Sequence, residues 1–214
     1  LTGAQKRTIN ECCLDMQKQV PMNRLLQGDV GSGKTAVAAG AAYFDYLNGF
    51  QSTLMAPTEI LAKQHYDTLT GFLAPLGVNI ALMTGSLTPA KKKEIRSLIA
   101  SGQVDVAVGT QALIQKSTSF DKLGLVITDE QHRFGVSQRA SLTDKGNEPH
   151  KLVMSATPIP RTLAMIIYGD LDISILDEMP KGRLPIRTYA VDSSYHDRLY
   201  KFILKYVQNG FQAY

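Results

Sequence analysis

Cysteine is scarce in this chain: its 214 residues include two cysteines, Cys12 and Cys13, which are adjacent. Neither has a distant cysteine to form a disulfide with, and no cysteine spacing typical of a metal site occurs. We therefore expect a reducing, cytoplasmic setting. The histidines His65, His150 and His196 have no partners at metal-ligand spacing, so a zinc site is not expected.

Long apolar runs and a secretion signal are also absent. No apolar run approaches the ~18 residues that a membrane span requires, and the first ten residues lack a basic segment followed by an apolar one. We expect no membrane partner. The start at Leu1 rather than at methionine indicates a piece of a longer protein. The formal net charge of +4 favours a polyanionic partner, although weakly, because many enzymes are as basic.

Short apolar runs alternate with longer helical stretches, which is typical of a mostly parallel sheet with helices on both faces. The apolar residues of these runs are continuous, as expected for strands covered on both sides. The predicted strands are Arg24–Gln27, Ser52–Ala56, Asn79–Met83, Val104–Gly109, Leu123–Thr128 and Lys151–Ser155. Helices are predicted after Thr2, from Thr35, after Thr58, after Thr88 and from Pro160 to Tyr168. The sequence therefore predicts an α/β fold.

The end of the chain differs in composition. Asp177–Pro185 is polar and contains two prolines, which is typical of a linker. A strand (Arg187–Val191), a helix (Ser194–Asn209) and the start of another strand (Phe211–Tyr214) are predicted to follow. Because this βαβ unit is incomplete, we expect one domain over residues 1–178, and a linker plus the start of a second domain over 179–214.

A phosphate-binding loop is the strongest motif. Residues Gly28–Thr35 match G-x-x-x-x-G-K-[ST] in full and lie between a predicted strand and a predicted helix. Its glycines let backbone N–H groups face phosphates, Lys34 would reach the β- and γ-phosphates, and Thr35 would ligate Mg²⁺. A chance match somewhere in a chain of this size has a probability on the order of one in a hundred. The motif predicts ATP and Mg²⁺ as cofactors, bound by Gly28, Gly31, Ser32, Gly33, Lys34 and Thr35.

An acidic turn, Asp129-Glu130-Gln131-His132, directly follows the predicted strand Leu123–Thr128. In P-loop ATPases an aspartate in this position holds Mg²⁺. The adjacent Glu130 can polarise the attacking water as a general base. On its own, such a turn is an ordinary polar connection after a buried strand. Downstream of a complete phosphate loop, it indicates the second half of a catalytic site.

Three further turns carry a hydroxyl group at the predicted carboxyl edge of the sheet: Pro57-Thr58, Thr84-Gly85-Ser86 and Gly109-Thr110-Gln111. Each offers backbone N–H groups and a side-chain oxygen, which suit the phosphates of a nucleic-acid strand rather than its bases. A single turn of this kind is explained by helix capping alone. Three on one edge, beside an ATP site, favour nucleic-acid binding.

Two other segments have candidate roles. Ser155-Ala156-Thr157 presents two hydroxyls at the same edge and could couple nucleotide state to the turn at Asp129. Gln5 could bond the adenine edge, as amides do with adenine N6 and N7 in DNA. The alternative for Gln5, an exposed polar residue without a role, is equally compatible with the residues themselves.

Four long blocks together resemble the RecG family of bacterial superfamily 2 helicases, which remodel branched DNA. The blocks are Leu-Leu-Gln-Gly-Asp-Val-Gly-Ser-Gly-Lys-Thr (25–35), Met-Ala-Pro-Thr-Glu-Ile-Leu-Ala-Lys-Gln-His (55–65), Asp-Glu-Gln-His-Arg-Phe-Gly-Val (129–136) and Ser-Ala-Thr-Pro-Ile-Pro-Arg-Thr-Leu-Ala (155–164). The motor of the transcription-repair coupling factor is the nearest alternative. Its loop looks like Gly-Tyr-Gly-Lys-Thr and its acidic turn like Asp-Glu-Glu-Gln, so Ser32 and Gln131-His132 favour RecG.

The resemblance implies a RecA-like P-loop NTPase fold and a role for each block. Lys34, Asp129, Glu130 and His132 would be catalytic, Thr35 and Asp129 would bind the metal, and Gln5 would read adenine. Pro57, Thr58, Thr84, Gly85 and Thr110 would contact the DNA backbone, and Ser155 and Thr157 would couple the two sites. The family's second RecA-like lobe, with its arginine finger, and its N-terminal wedge domain would lie outside this chain.

The resemblance also implies the activity, namely an ATP-dependent DNA helicase that acts as a monomer on replication forks and Holliday junctions. Since an arginine finger increases the rate of ATP hydrolysis by a factor of ~10³–10⁵, we expect the chain alone to be weakly active or inactive. A nucleotide-gated nucleic-acid-binding module that does not unwind its substrate remains an alternative of a different class.

Overall fold

The computed structural model describes residues 1–113, 115, 117–129, 148–156, 171–178 and 187–213. The chain divides into two units, Leu1–Lys181 and Gly182–Tyr214. The domain boundary after residue 178 remains a prediction. The helix expected from Pro160 to Tyr168 lies outside the described residues.

The first unit alternates helices and strands along the chain. Its elements are α1 (Gly3–Met16), β1 (Asn23–Gly28), α2 (Lys34–Leu47), β2 (Gln51–Met55), α3 (Glu59–Leu73), β3 (Ile80–Met83), α4 (Pro89–Ala100), β4 (Val106–Gly109), β5 (Leu123–Asp129), β6 (His150–Ser155) and β7 (Asp172–Leu176), with short 3₁₀ helices at Ala74–Leu76 and Gln111–Leu113. Each of the six strands predicted for this unit is present, within two residues of its expected ends. None of the described helices is both long enough and apolar enough to span a bilayer.

All seven described strands form one parallel sheet, in the order β3-β4-β2-β5-β6-β1-β7. Strand β6 lies between β5 and β1, so that Asp129 pairs with Met154 and Gln27 pairs with Ser155. The ends of the strands bearing the phosphate loop, Ser155 and Asp129 are therefore neighbours. Strands β2, β4 and β3 form the other half of the sheet. The predicted fold class is confirmed.

Helices cover both faces of the sheet, as side-chain alternation along β4 demonstrates. Val106 and Val108 belong to the core beneath α1, α2 and α3. Ala107, between them, belongs to a separate core with Ile95 and Ile99 of α4. Because successive side chains of a strand point to opposite faces, the two cores lie on opposite sides of the sheet.

Strand β7 was not predicted. It pairs with β1 at the edge of the described sheet, and its residues Asp172 and Ile175 are exposed. Ser174 is buried, and its hydroxyl accepts a hydrogen bond from Arg24 Nη1 at 2.7 Å, which offsets the cost of burying it. An edge strand with polar residues lacks the continuous apolar run that indicates a central parallel strand, so its sequence pattern is weak.

The second unit contains a 3₁₀ helix (Ser193–Tyr195) followed by α5 (His196–Gln208), which confirms the predicted helix. The predictions of strands over 187–191 and 211–214 are wrong for the residues that the structure describes, since 187–191 and 211–213 have no regular structure. A β-strand needs a neighbouring strand for its backbone hydrogen bonds. The described residues of this unit include no such neighbour.

A buried carboxylic acid, Asp45, lies near the end of α2. It is 3% exposed and accepts a hydrogen bond from Ser52 Oγ at 2.8 Å. Burial raises the pKa of Asp45 from 3.8 to about 7, against the opposing effect of the Ser52 hydrogen bond. Its carboxyl oxygen Oδ1 is so close to Gly124 that a Cβ there would approach it to 2.4 Å. Position 124 therefore requires glycine.

The raised pKa of Asp45 predicts a dependence of stability on pH. The contribution of the protonated acid is complete below pH 4 and is lost as the pH rises through about 7. We expect Asp45→Asn, which stays neutral and keeps an acceptor for Ser52, to remove this loss. Between pH 5 and 7 the unaltered chain should lose about 1 kcal/mol of unfolding free energy per pH unit relative to the variant. Urea unfolding of both proteins at pH 5, 6, 7 and 8 measures this, and parallel curves would contradict it.

Candidate functional site

The loop between β1 and α2 has the backbone of an anion site. Gly31 and Gly33 have φ angles of 80° and 88°, a left-handed conformation that favours glycine. Gly33 is the N-cap of α2 and therefore provides no side chain to cap it, and the first turn of the helix has no acidic residue. The N–H groups of that turn are thus not used by a capping side chain, and with the helix dipole they favour a bound phosphate.

Lys34 lies across this loop. Its Nζ donates hydrogen bonds to the carbonyl oxygens of Gly28 at 2.6 Å and Asp29 at 3.2 Å. A cavity of about 280 Å³ adjoins the loop; its lining residues are Gly31, Gly33, Lys34, Thr35, Ala36, Thr68 and Phe72. The Ser32 hydroxyl is buried and has no hydrogen-bond partner within the described part of the chain. The loop therefore places a cation and uncapped amides beside an open space.

The two predicted metal ligands lie on opposite sides of one imidazole ring. Thr35 Oγ1 is 3.4 Å from Nδ1 of His65, and Nε2 of the same ring is 2.7 Å from Oδ2 of Asp129. The phosphate loop and Asp129, the first residue of the acidic motif, are thus neighbours at the same edge of the sheet, as the motifs predict. His65 was missed as a site residue, because its partners are distant in sequence and only the packing of α3 beside α2 brings them together.

The remaining catalytic and coupling residues are only partly described. Ser155 is buried, ends β6 and pairs with Gln27 of β1. The residue before it, Met154, pairs with Asp129 of β5. Glu130, His132 and Thr157 lie outside the described residues, and their roles stay predictions. The place of Ser155 between the phosphate-loop strand and the Asp129 strand suits a coupling role.

Gln5 contacts the phosphate loop directly. Its Nε2 donates to the carbonyl oxygen of Ser32 at 2.9 Å, and its Oε1 accepts from the N–H of Thr2 at 2.9 Å. It is 5% exposed, so the alternative of an exposed polar residue is wrong. A Cβ at Gly33 would come within 2.2 Å of Gln5 Nε2, which is a second reason for glycine there. Reading of adenine by Gln5 stays a prediction.

The three hydroxyl-bearing turns follow β2, β3 and β4, which are adjacent strands. Pro57 precedes Thr58, whose hydroxyl caps α3 by accepting from Leu61 N at 3.3 Å. Thr84 Oγ1 is 3.2 Å from Ser86 Oγ, and Ser86 N donates to Glu59 Oε1 at 2.9 Å. The turn that contains Gly85 is linked to the turn that contains Thr110, because Thr110 N donates to the carbonyl oxygen of Met83, the residue before Thr84. The turns are therefore adjacent along the sheet edge, with Thr58 and Gly85 exposed but Thr84 buried at 5% exposure.

The sheet is parallel, a glycine loop follows its first strand, and an aspartate ends a strand two positions away in the sheet. This arrangement defines a P-loop nucleotide-binding domain. The profile of the DEAD/DEAH box helicase family matches residues 2–166. The chain therefore belongs to the DEAD/DEAH box helicase family. Membership of this family implies the use of ATP.

The chain is similar over its whole length to bacterial proteins named ATP-dependent DNA helicase RecG. The Bacillus subtilis protein is 52% identical over 214 residues, which is 100% of this chain and 31% of that protein. The Aquifex aeolicus protein is 53% identical over 216 residues, again 100% of this chain and 27% of its own length. The predicted resemblance to RecG is confirmed.

A solved structure agrees with this. The structure of RecG bound to a three-way DNA junction superposes with a TM-score of 0.86 at 48% identity, covering 98% of this chain and 28% of that one. The predicted RecA-like helicase fold is thereby confirmed. The chain spans 31% or less of the length of these relatives.

Proposed function

We propose that this chain is the ATP-hydrolysing motor domain of a longer DNA helicase that remodels branched DNA, such as replication forks and Holliday junctions, in recombination and repair. The single observation that supports this most is the joining of the phosphate loop to Asp129 through one side chain, His65. Similarity to RecG proteins over the whole chain supports DNA as the track.

The residues present fit a magnesium–nucleotide complex. Mg²⁺ prefers oxygen ligands and keeps several waters, and the Thr35 hydroxyl and Asp129 carboxylate are two oxygen donors, one on each side of the His65 ring, that would hold it directly or through water. Bound Mg²⁺ would neutralise charge that develops on the phosphates. Lys34 would leave the carbonyl oxygens of Gly28 and Asp29 for the β- and γ-phosphates. We assign the general base to Glu130 and a supporting catalytic role to His132.

DNA would bind along the neighbouring surface. A hydroxyl that accepts a backbone hydrogen bond, as in Thr58, retains its own proton and can donate it to a phosphate oxygen. We assign backbone contacts to Pro57, Thr58, Thr84, Gly85 and Thr110. Strand β2, which leads to the first of these turns, pairs directly with β5, which ends at Asp129. A change at the metal therefore has a short path to the DNA surface, in parallel with Ser155 and Thr157.

Other parts of the proposed protein would complete the motor. A second RecA-like domain would add an arginine finger and a wedge domain would split the fork, with the whole acting as a cytoplasmic monomer. The motor of a transcription-repair coupling factor would have the same core. A nucleotide-gated binding module would bind DNA and ATP without moving one strand past the other.

The proposal predicts DNA-dependent ATP turnover that requires more than this chain. The full-length protein should hydrolyse ATP at a rate stimulated by forked or four-way DNA, and RNA should not replace DNA. The 214-residue chain should turn over ATP at least ~10³-fold more slowly, because the proposed second RecA-like domain would supply the arginine finger. Steady-state ATPase assays with single-stranded, duplex, forked and RNA cofactors measure both.

Two outcomes would separate the alternatives. Stimulated ATP turnover without unwinding or fork reversal by the full-length protein would favour the nucleotide-gated module. Robust DNA-stimulated turnover by the 214-residue chain alone would contradict the need for a second domain.

A further inference from the structure

His65 is the last residue of the 55–65 block, and the sequence pattern assigns it no role. It lies in α3, seven residues beyond the helix cap Thr58, and its side chain is 11% exposed. Helix α3 follows β2 and packs beside α2, which brings the ring to the carboxyl edge of the sheet. Its two nitrogens contact Thr35 and Asp129, the two residues proposed to hold Mg²⁺.

The chemistry of these partners fixes the direction of the shorter hydrogen bond. An ionised carboxylate has only acceptors, so His65 Nε2 carries the proton and donates to Asp129 Oδ2 at 2.7 Å. In the neutral ring, Nδ1 is then an acceptor for the Thr35 hydroxyl at 3.4 Å. One ring can thereby orient both oxygen donors, since it fixes one carboxylate oxygen and the direction of one hydroxyl proton.

We propose that His65 is a positioning residue for the magnesium ion of the motor. It holds Asp129 Oδ2, which leaves the other carboxylate oxygen available to the cation. It also accepts the hydrogen bond of the Thr35 hydroxyl, which leaves a lone pair of that oxygen available to the cation. This inference rests on the proposed function. His65 does not itself ligate the ion, because Mg²⁺ takes oxygen ligands in preference to imidazole nitrogen.

Residues that hydrogen-bond to metal ligands typically account for 10–100-fold in metal affinity. A purely structural role for His65 would weaken every property of the loop together. A positioning role weakens binding of the metal while binding of the metal-free nucleotide is retained. A substitution that keeps both hydrogen-bonding functions should also restore the metal affinity. Glutamine provides an N–H donor and a C=O acceptor on one side chain, whereas leucine provides neither.

The test compares His65→Leu and His65→Gln in the full-length protein. Binding of Mn²⁺, followed by electron paramagnetic resonance at saturating non-hydrolysable ATP analogue, reports the metal site without turnover. A fluorescent ATP analogue in excess chelator reports binding of the nucleotide alone. We expect the leucine variant to bind Mn²⁺ 10–100-fold more weakly, with unchanged metal-free nucleotide binding. The glutamine variant should recover most of the affinity.

His150→Leu is the matched control. His150 Nδ1 accepts from Met22 N, and His150 begins β6, at the end of that strand opposite Ser155. If His65→Leu binds nucleotide normally and binds Mn²⁺ normally or more tightly, the proposed role of His65 is overturned and the proposed function is not. Equal loss of metal-free nucleotide binding would assign it a structural role and overturn the inference as well. Failure of the unaltered protein to bind nucleotide would overturn the proposed function together with this inference.

Discussion

Lys34→Ala in the full-length protein should abolish DNA-stimulated ATP hydrolysis. The Lys34 ammonium group donates to the backbone carbonyl oxygens of Gly28 and Asp29, so its positive charge lies at the loop where the phosphates would bind. Removing one group that stabilises developing charge typically lowers kcat by about 10²–10³. We expect a loss at least this large, because the same lysine also holds the β- and γ-phosphates before reaction.

Lys18→Ala is the control for this prediction. Lys18 follows the C-terminal end of α1, its side chain is 63% exposed, and it makes an ion pair with Asp15 rather than a loop contact. Steady-state ATPase rates with and without forked DNA should be nearly unchanged in this variant. A Lys34→Ala protein that keeps stimulated turnover within tenfold of normal would show that the phosphates bind elsewhere.

Arg24→Ala should strongly destabilise the first unit. Arg24 lies in β1 with a side chain that is 9% exposed, and its Nε donates to Asp15 Oδ2 at 2.9 Å. Its Nη1 donates to Ser174 Oγ of β7. The arginine therefore links α1, β1 and β7. Removing one member of a buried ion pair typically costs about 3–5 kcal/mol, and we expect about 3, because Lys18 remains bonded to Asp15.

The pH dependence of this loss is a second readout. Burial alone would raise the pKa of Asp15, but hydrogen bonds from Lys18 and Arg24 outweigh burial and lower it. The stabilisation is present above the ordinary aspartate pKa and is lost as the pH falls, so the variant and the unaltered chain should converge in acid. Urea unfolding at pH 7 and pH 3 tests this. Arg7→Ala, at a half-exposed arginine that bonds Asp177, is the control and should cost less than about 1 kcal/mol.

Much of the fold could be predicted because its signals are local. Continuous apolar runs indicate buried parallel strands, and Thr58 and Thr88 cap the helices that follow them, as their positions before helical stretches predict. The meeting of Gly28–Thr35 with Asp129 could also be predicted, since both follow strands whose carboxyl ends share one edge of a parallel sheet. The phosphate loop needed no information beyond eight consecutive residues.

Other features depend on contacts between distant residues and have no local signal. The strand Asp172–Leu176 is stabilised by pairing with β1 and by the Ser174–Arg24 hydrogen bond, rather than by an apolar run. His65 meets its partners only because two helices pack side by side. Gln5 caps its own helix through Oε1, which accepts from Thr2 three residues away. Its Nε2 donates to the carbonyl oxygen of Ser32, 27 residues away, and this second contact has no local signal.

The most direct test is a crystal structure of the full-length protein with a non-hydrolysable ATP analogue and Mg²⁺. The triphosphate should lie against the amides of Gly31–Thr35 with its terminal phosphate beside Lys34, and the cation should contact Thr35 and Asp129, directly or through water. A triphosphate bound away from this loop, or a cation that touches neither of these two residues, would contradict the assignment of the motor site.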